Sequence, residues 1–229
     1  MTGPDARPAP DPIAAALLAD DPVLVAPRLL GAVIHGRGVS VRLTEVEAYR
    51  GADDPGSHAF RGMTPRTAPM FRGPGVVYAY VSYGMHTCVN LVCGVEGAAA
   101  AILLRAGEVV AGEPLARERR AGAGGPQSLP HRDLARGPGR LARALGVLPA
   151  DSGSVLGVPG RRADGEPLAA RSPLVLEPAP PGRAVTLPIA EGPRVGVSGR
   201  GGGAEFPWRF WIADDPTVSP YRAAVSRAR

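Results

Sequence analysis

The sequence contains no lysine; all 26 of its basic residues are arginine. That absence excludes mechanisms built on a lysine Schiff base, a phosphate-loop lysine or a pyridoxal-phosphate anchor. Any chemistry must run on carboxylate, imidazole, phenol, hydroxyl, thiol and guanidinium groups, with an α-amino group as the one remaining amine. Cysteine is scarce as well. Cys88 and Cys93 are too few for a disulfide framework or a four-ligand zinc site, and read as packed thiols. No run of about 18 apolar residues occurs, so no membrane-spanning segment is expected. The opening residues MTGPDARPAPDPIAAALLADD lack the basic start and cleavage site of a secretory signal, which predicts a cytoplasmic protein. No His/Cys/Asp spacing amounts to a metal site. Asp53-Asp54 and Asp214-Asp215 each precede proline and read as turn chemistry. Neither metal nor cofactor is expected.

What is present points to an anionic partner. The net charge of +5 and a pI near 9.8 favour nucleic acid, although a GC-rich genome that writes arginine freely gives the same composition. A chain of 229 residues is long enough for one sizeable core. The predicted organisation is a disordered arm over 1–12, one domain over 13–222 and a short tail over 223–229. Loops over 121–139 and 160–173 read as insertions within that domain, because the flanking apolar segments are too short for separate cores.

The periodicity predicts short helices over 13–20 and about 22–32, each entered through Asp-Pro. VSVRLTEVEAY, 39–49, alternates as a strand, and 76–94 reads as two strands joined by a tight turn at Tyr83-Gly84-Met85-His86. A further strand is expected over 98–107, helices in EVVAGEPLARERR and GRLARALGV, and strands at VLEP, AVTLPI, RVGVSG and WRFWIA. Successive strands with few helices between them predict an α+β domain with a mainly antiparallel sheet and flanking helices.

The candidate chemistry lies between Glu47 and Asn90. Strict alternation places Val39, Val41, Leu43, Glu45, Glu47 and Tyr49 on one face, so two carboxylates follow an apolar run. For Glu45 a turn of that face toward solvent is the simpler expectation. A carboxylate desolvated beside Tyr49 would instead be a poised general base, and parity does not choose between the two glutamates. Tyr49, His58 and Tyr80 could together stack on a planar ligand, although each alone reads as core. Tyr83, at the hairpin tip, either packs back on its strand or acts as a wedge between base pairs. Arg61, Arg66 and Arg72 lie along a polar loop and suit phosphate contacts, or simply solvent.

These segments resemble the alkyladenine (3-methyladenine) DNA glycosylase family. The resemblance is carried by LLGAVI at 29–34, by TEVEAYRGADDPGSHAFRGMTPRTAPMFRGPGVVYAYVSYGMHTCVN at 44–90, and by LLRAGE at 103–108. Weaker matches follow in GPGRLARALGV, PRVGVSG and WRFWI. It implies a single compact domain with a curved antiparallel sheet and no helix-hairpin-helix. It further implies a monomeric enzyme that flips damaged purines out of double-stranded DNA and hydrolyses the N-glycosidic bond.

By position, Glu47 resembles the general base, with Arg105 and the main-chain carbonyl of Val195 holding the water. Tyr49, His58 and Tyr80 resemble the base-binding walls, Tyr83 the intercalating wedge, and Asn90 the group that rejects normal guanine. His86 stands where some members carry another tyrosine, and is expected to meet the DNA backbone with Arg61, Arg66 and Arg72. A nucleoid-associated, monofunctional enzyme without strand-cleaving activity is the expectation. The rivals are a non-catalytic, arginine-rich nucleic-acid binder on the same fold and a hydrolase of free nucleosides.

Overall fold

Two Asp-Pro steps open the fold. In the computed structural model, which describes residues 11–82, 84–121, 128–160, 172–180 and 188–224, helix α1 spans Pro12–Leu17 and α2 spans Pro22–Arg28. Asp11 Oδ1 accepts from the Ile13 N–H (2.9 Å) and Asp21 Oδ1 from the Val23 N–H (2.9 Å), so each aspartate caps the helix it precedes. Both helices are shorter than their apolar runs suggest. Beyond α2 the chain turns through Gly31, whose N–H donates to the Leu43 carbonyl at 2.8 Å.

Strand β1 (Val33–Gly36) leads into β2 (Val39–Tyr49), the axis of the sheet. Strands β3 (Val77–Ser82) and β4 (His86–Val92) form the expected hairpin, followed by β5 (Ala101–Ala111). Along the main path the order is β3-β4-β5-β2-β1-β7, with β7 at Leu174–Glu177. The neighbours along this path pair antiparallel, so the α+β, mainly antiparallel expectation holds. One edge of β2 is covered by β5; the other is shared, first by β1 and then by β9 (Arg209–Ile212). Strand β8 (Ile189–Gly192) pairs with β9.

Several boundaries differ from the sequence reading. Glu108–Ala111 continue β5 rather than starting a helix, and α3 covers Glu113–Ala121. Gly112 makes the corner between them at φ +75, where a Cβ would lie 2.1 Å from the Gly38 carbonyl oxygen. The loop predicted over 121–139 is structured from His131 onward. A turn at His131–Asp133 leads to β6 (Ala135–Arg136), which pairs with β5, and α4 begins at Pro138 and runs to Leu145. A two-residue strand is too short to show any periodicity. RVGVSG forms no strand: β8 ends before Pro193, and Gly196 and Gly199 take φ of 70 and 66. The arm over 1–10, most of the 160–173 loop and residues 184–187 of the AVTLPI strand lie outside the described residues, as do Tyr83 and the end of the tail.

The alternation in β2 changes phase midway. Val39, Val41 and Leu43 join the main core, but so do Val46 and Ala48. The register accounts for this: Thr44 has no partner on β5 and Arg105 none on β2. This irregularity moves everything after Leu43 to the other side, as bulges beside functional sites commonly do. Glu47 and Tyr49 therefore leave the main core, contrary to the single face that strict parity predicts. The main core instead continues through Val77, Ala79, Val89, Leu91, Ile102 and Leu104, covered by Leu141, Ala142, Ala144 and Leu145 of α4. Among the described residues no helix is long and apolar enough to cross a membrane.

Candidate active site

The registers place five residues in one row across the face opposite the main core. Tyr78 lies opposite Asn90, Asn90 opposite Leu103, Leu103 opposite Glu47, and Glu47 opposite Arg209. Residues directly opposite in antiparallel strands point to the same side. The phase change in β2 thus puts an acid on a face whose neighbours are an aromatic ring and an amide.

Glu47 is fully buried. Its Oε1 accepts from the Val195 N–H at 2.7 Å and lies 3.2 Å from Arg105 Nη1; its Oε2 accepts from the Tyr49 hydroxyl at 2.8 Å. Burial, and then the Glu47 charge, push the Tyr49 phenol well above its ordinary pKa, so this hydroxyl remains a donor.

Glu45 does not turn to solvent, contrary to the simpler expectation. It is fully buried as well. Oε1 accepts from Arg105 Nε (2.9 Å) and Arg209 Nε (2.6 Å), and Oε2 from the Ser219 N–H (2.8 Å). Burial raises its pKa, but Arg105, Arg209 and the Ser219 hydrogen bonds outweigh that and hold it below the ordinary carboxylate value. Two carboxylates and two guanidiniums therefore share one buried network, which is how buried charge is tolerated. Arg105 belongs to both acids.

A second buried pair fastens the site from the side. Arg194 donates to Asp54 through both terminal nitrogens, Nη1 to Oδ2 and Nη2 to Oδ1, each at 2.6 Å. It also donates to the carbonyls of Ala48 (2.9 Å) and Gly201 (2.6 Å), and its guanidinium sits 4.5 Å from the Tyr49 ring centroid. Asp54 does make the expected turn, accepting from the Gly56 N–H at 2.8 Å. Its larger role is this ion pair, which sequence reasoning missed. Nothing in the sequence links an Asp-Pro turn to an arginine 140 positions away.

Between these groups opens a cavity of about 480 Å³. Tyr49, His58, Tyr80, Asn90, Arg105 and Val195 all line it. Glu47 is held by three of those lining residues. Tyr78 lines it too, and was not singled out from the sequence although it shares a strand face with Tyr80. The Tyr78 and Tyr80 rings stack at 5.4 Å and 27°, while His58 meets Tyr80 edge-on at 4.6 Å and 81°. The His58 ring lies 3.2 Å (Nδ1) from the Tyr78 hydroxyl. Burial of that ring and the Arg66 charge lower the His58 pKa, which keeps the imidazole neutral near pH 7. Asn90 Nδ2 donates to the Tyr78 carbonyl at 3.1 Å, fixing the orientation of its amide.

The remaining expected groups sit further out. Arg61, Arg66 and His86 are exposed. Arg66 places its guanidinium 5.3 Å from the Tyr80 ring centroid. Arg72 is half-buried and donates to the Gly153 carbonyl at 2.5 Å, so it also ties its loop to the domain. Tyr83 is outside the described residues. Cys88, a buried free thiol, lines the cavity; Cys93 is a buried free thiol that does not. Pro138 and Arg222 also line the cavity and were not expected from the sequence.

The description of the methylpurine-DNA glycosylase family matches residues 16–216 of the chain. A protein of Leifsonia xyli subsp. xyli is 51% identical over 203 residues, covering 86% of this chain and 87% of its own length. One from Streptomyces avermitilis is 50% identical over 213 residues, 91% of each chain. A third, from Cutibacterium acnes, is 49% identical over 195 residues, covering 85% of this chain and 93% of its own. All three carry the name "Putative 3-methyladenine DNA glycosylase". With a family match across most of its length and relatives at half identity, the chain belongs to the methylpurine-DNA glycosylase family and is a DNA glycosylase, a hydrolase of DNA repair.

Proposed function

We propose that this enzyme removes alkylated purines, 3-methyladenine and 7-methylguanine first among them, from double-stranded DNA by flipping the nucleotide into the aromatic cavity. Flipping costs a few kcal/mol and least for damaged bases, so access itself favours the lesion. Within the cavity the base stacks among Tyr49, His58 and Tyr80, with Tyr78 behind Tyr80. A purine alkylated at N3 or N7 is cationic, and electron-rich rings attract it. A neutral His58 suits that ligand better than a charged one. Asn90 crowds the 2-amino group of normal guanine, and Tyr83 fills the gap left in the base stack.

Glu47 takes a proton from a water held between it, Arg105 and the Val195 carbonyl. The water oxygen bonds to C1′ of the sugar, the C1′–N9 bond breaks, and its electron pair leaves with the base. A cationic base departs neutral, so the protein supplies position and negative charge rather than an acid. Arg61, Arg66, Arg72 and His86 meet the DNA backbone. Such a substrate places the enzyme with the chromosome in the cytoplasm, acting as a monomer.

The observation that carries this reading is the fully buried Glu47, held by Tyr49, Arg105 and Val195 at one aromatic cavity. The test is release of free bases from an alkylated duplex under single-turnover conditions. Wild type is expected to release 3-methyladenine, and Glu47→Gln to lose at least about 100-fold in rate while remaining folded. Equal rates would remove Glu47 from the mechanism. Tight duplex binding by wild type without any release would make the chain a non-catalytic binder, and release from free nucleosides alone would make it a nucleoside hydrolase.

A further inference from the structure

A second cavity, of about 450 Å³, adjoins the first and shares Ser82, Cys88 and Pro138 with it. Its wall is made of arginine. Arg120 comes from α3, Arg136 from β6, and Arg140 and Arg143 from α4, with His86 of β4 beside them. Gly137, Pro138 and Gly139 also line it, and α4 starts there without any side-chain cap. The first amides of a helix that lacks a cap leave donors available to an anion.

The charges within the cluster do not balance. Asp133 is the carboxylate in reach, 3.5 Å from Arg136 Nη1 and 3.9 Å from Arg140 Nη1. Arg136 Nε and Arg143 Nε donate to the carbonyls of Val218 (2.8 Å) and Arg119 (2.5 Å), which bring no compensating charge. Arg120 Nε is shielded from solvent and, among the described residues, has no hydrogen-bond partner. Burial lowers the Arg120 pKa, and the charges of Arg140 and Arg143 lower it further. Among the described residues, four guanidiniums against the Asp133 carboxylate leave a concave, positively charged site, and such a site raises the local concentration of anions.

We propose that this cavity seats one phosphodiester of the strand whose base occupies the neighbouring aromatic cavity. The continuity of the two cavities through Ser82, Cys88 and Pro138 puts the anion site where the backbone of that strand would pass. Planar guanidinium forks match a phosphate's oxygens, and several of them hold it without reading sequence. The inference rests on the chain acting on duplex DNA, and it can be tested without any base being released.

The probe is a duplex with a tetrahydrofuran abasic site, carrying one uncharged methylphosphonate at successive positions of the same strand. Affinity is read by fluorescence anisotropy. Wild type is expected to lose about tenfold at one position near the abasic site, the effect of removing one strong phosphate contact. The double variant Arg120→Gln/Arg140→Gln is expected to bind the unmodified duplex at least about tenfold more weakly, with a shallower salt dependence. It should show no further loss at that position while keeping the losses seen elsewhere. Arg140→Gln alone, at a half-exposed side chain, gives the same comparison should the double variant not fold.

Sensitivity that persists unchanged at that position in both variants, or a flat scan in wild type, would overturn the assignment. A flat scan together with stabilisation of wild type, but not of the variant, by millimolar inorganic phosphate would make it a small-anion site instead. Failure of wild type to excise a base would sink the proposed reaction and leave this binding measurement standing.

Discussion

The main-chain N–H of Val195 donates to Glu47 Oε1 across 2.7 Å, tying the end of β2 to a loop 148 positions further along the chain. The acid therefore depends on a segment with no regular structure of its own. What fixes that segment is the preceding residue, since Arg194 is clamped on Asp54 and on two carbonyls.

Asp54→Asn should consequently damage both stability and activity. Removing one charge of a fully buried pair costs about 3–5 kcal/mol, because the other is left uncompensated. Urea denaturation at neutral pH should show that loss, while Asp54→Asn/Arg194→Met should recover part of it. Both variants should also release base more slowly under conditions where they are folded. Normal excision in a folded Arg194→Met background would mean that Val195 holds its place without the clamp.

The Glu45 network predicts how stability responds to acid. The folded pKa of Glu45 lies below its ordinary value of 4.5, so in that window the native state binds fewer protons than the unfolded chain. Its contribution is complete above about pH 4.5 and disappears as pH falls through the depressed value. Asp151, paired with Arg37, and Asp215, paired with Arg42, are lowered in the same sense. The urea midpoint should stay level from pH 8 to about 4.5 and then drop, with a smaller drop for Glu45→Gln. A midpoint insensitive to pH down to 3 would contradict the ion-pair account.

The absence of lysine predicts that the proposed reaction stops at an abasic site. Strand cleavage by glycosylases commonly proceeds through an amine Schiff base, and no side-chain amine is present. Borohydride should trap no covalent enzyme–DNA adduct, and nicks should appear only after alkali or heat. An adduct formed by pure protein would point to the α-amino group.

Asn90 offers a test of selectivity. Its side-chain amide is fixed by the Tyr78 carbonyl and lines the cavity. Asn90→Ala should begin to release unmodified guanine from duplex DNA while keeping 3-methyladenine release within about tenfold of wild type, since a gatekeeper acts on the competitor. Unchanged discrimination would assign guanine rejection elsewhere.

Much of the fold was legible because the signals were local. Asp-Pro marked the helix entries, and alternation marked β2 and the hairpin from Val77 to Val92. The site was half legible. Glu47, Tyr49, His58, Tyr80 and Asn90 fall in one continuous stretch, so a family resemblance finds them together. The burial of Glu45 was not legible, because it depends on Arg209 and Ser219, 164 and 174 positions away. Arg194 was hidden for the same reason, inside a stretch whose valines imitated a strand. The arginine cavity joins α3, β6 and α4, and no sequence pattern predicts that three short elements converge.

The phase change in β2 has a consequence for how the gene can vary. A chain that lost the single codon for Thr44 would keep its composition and nearly all of its similarity to its relatives. Leu43 and Val46 would then stand two positions apart and share the core face by plain alternation, so Val46 and Ala48 would stay in the core and Glu47 on the face opposite. The irregularity is thus a matter of length rather than of side chains: a strand one residue shorter and strictly alternating would carry the same acid to the same face.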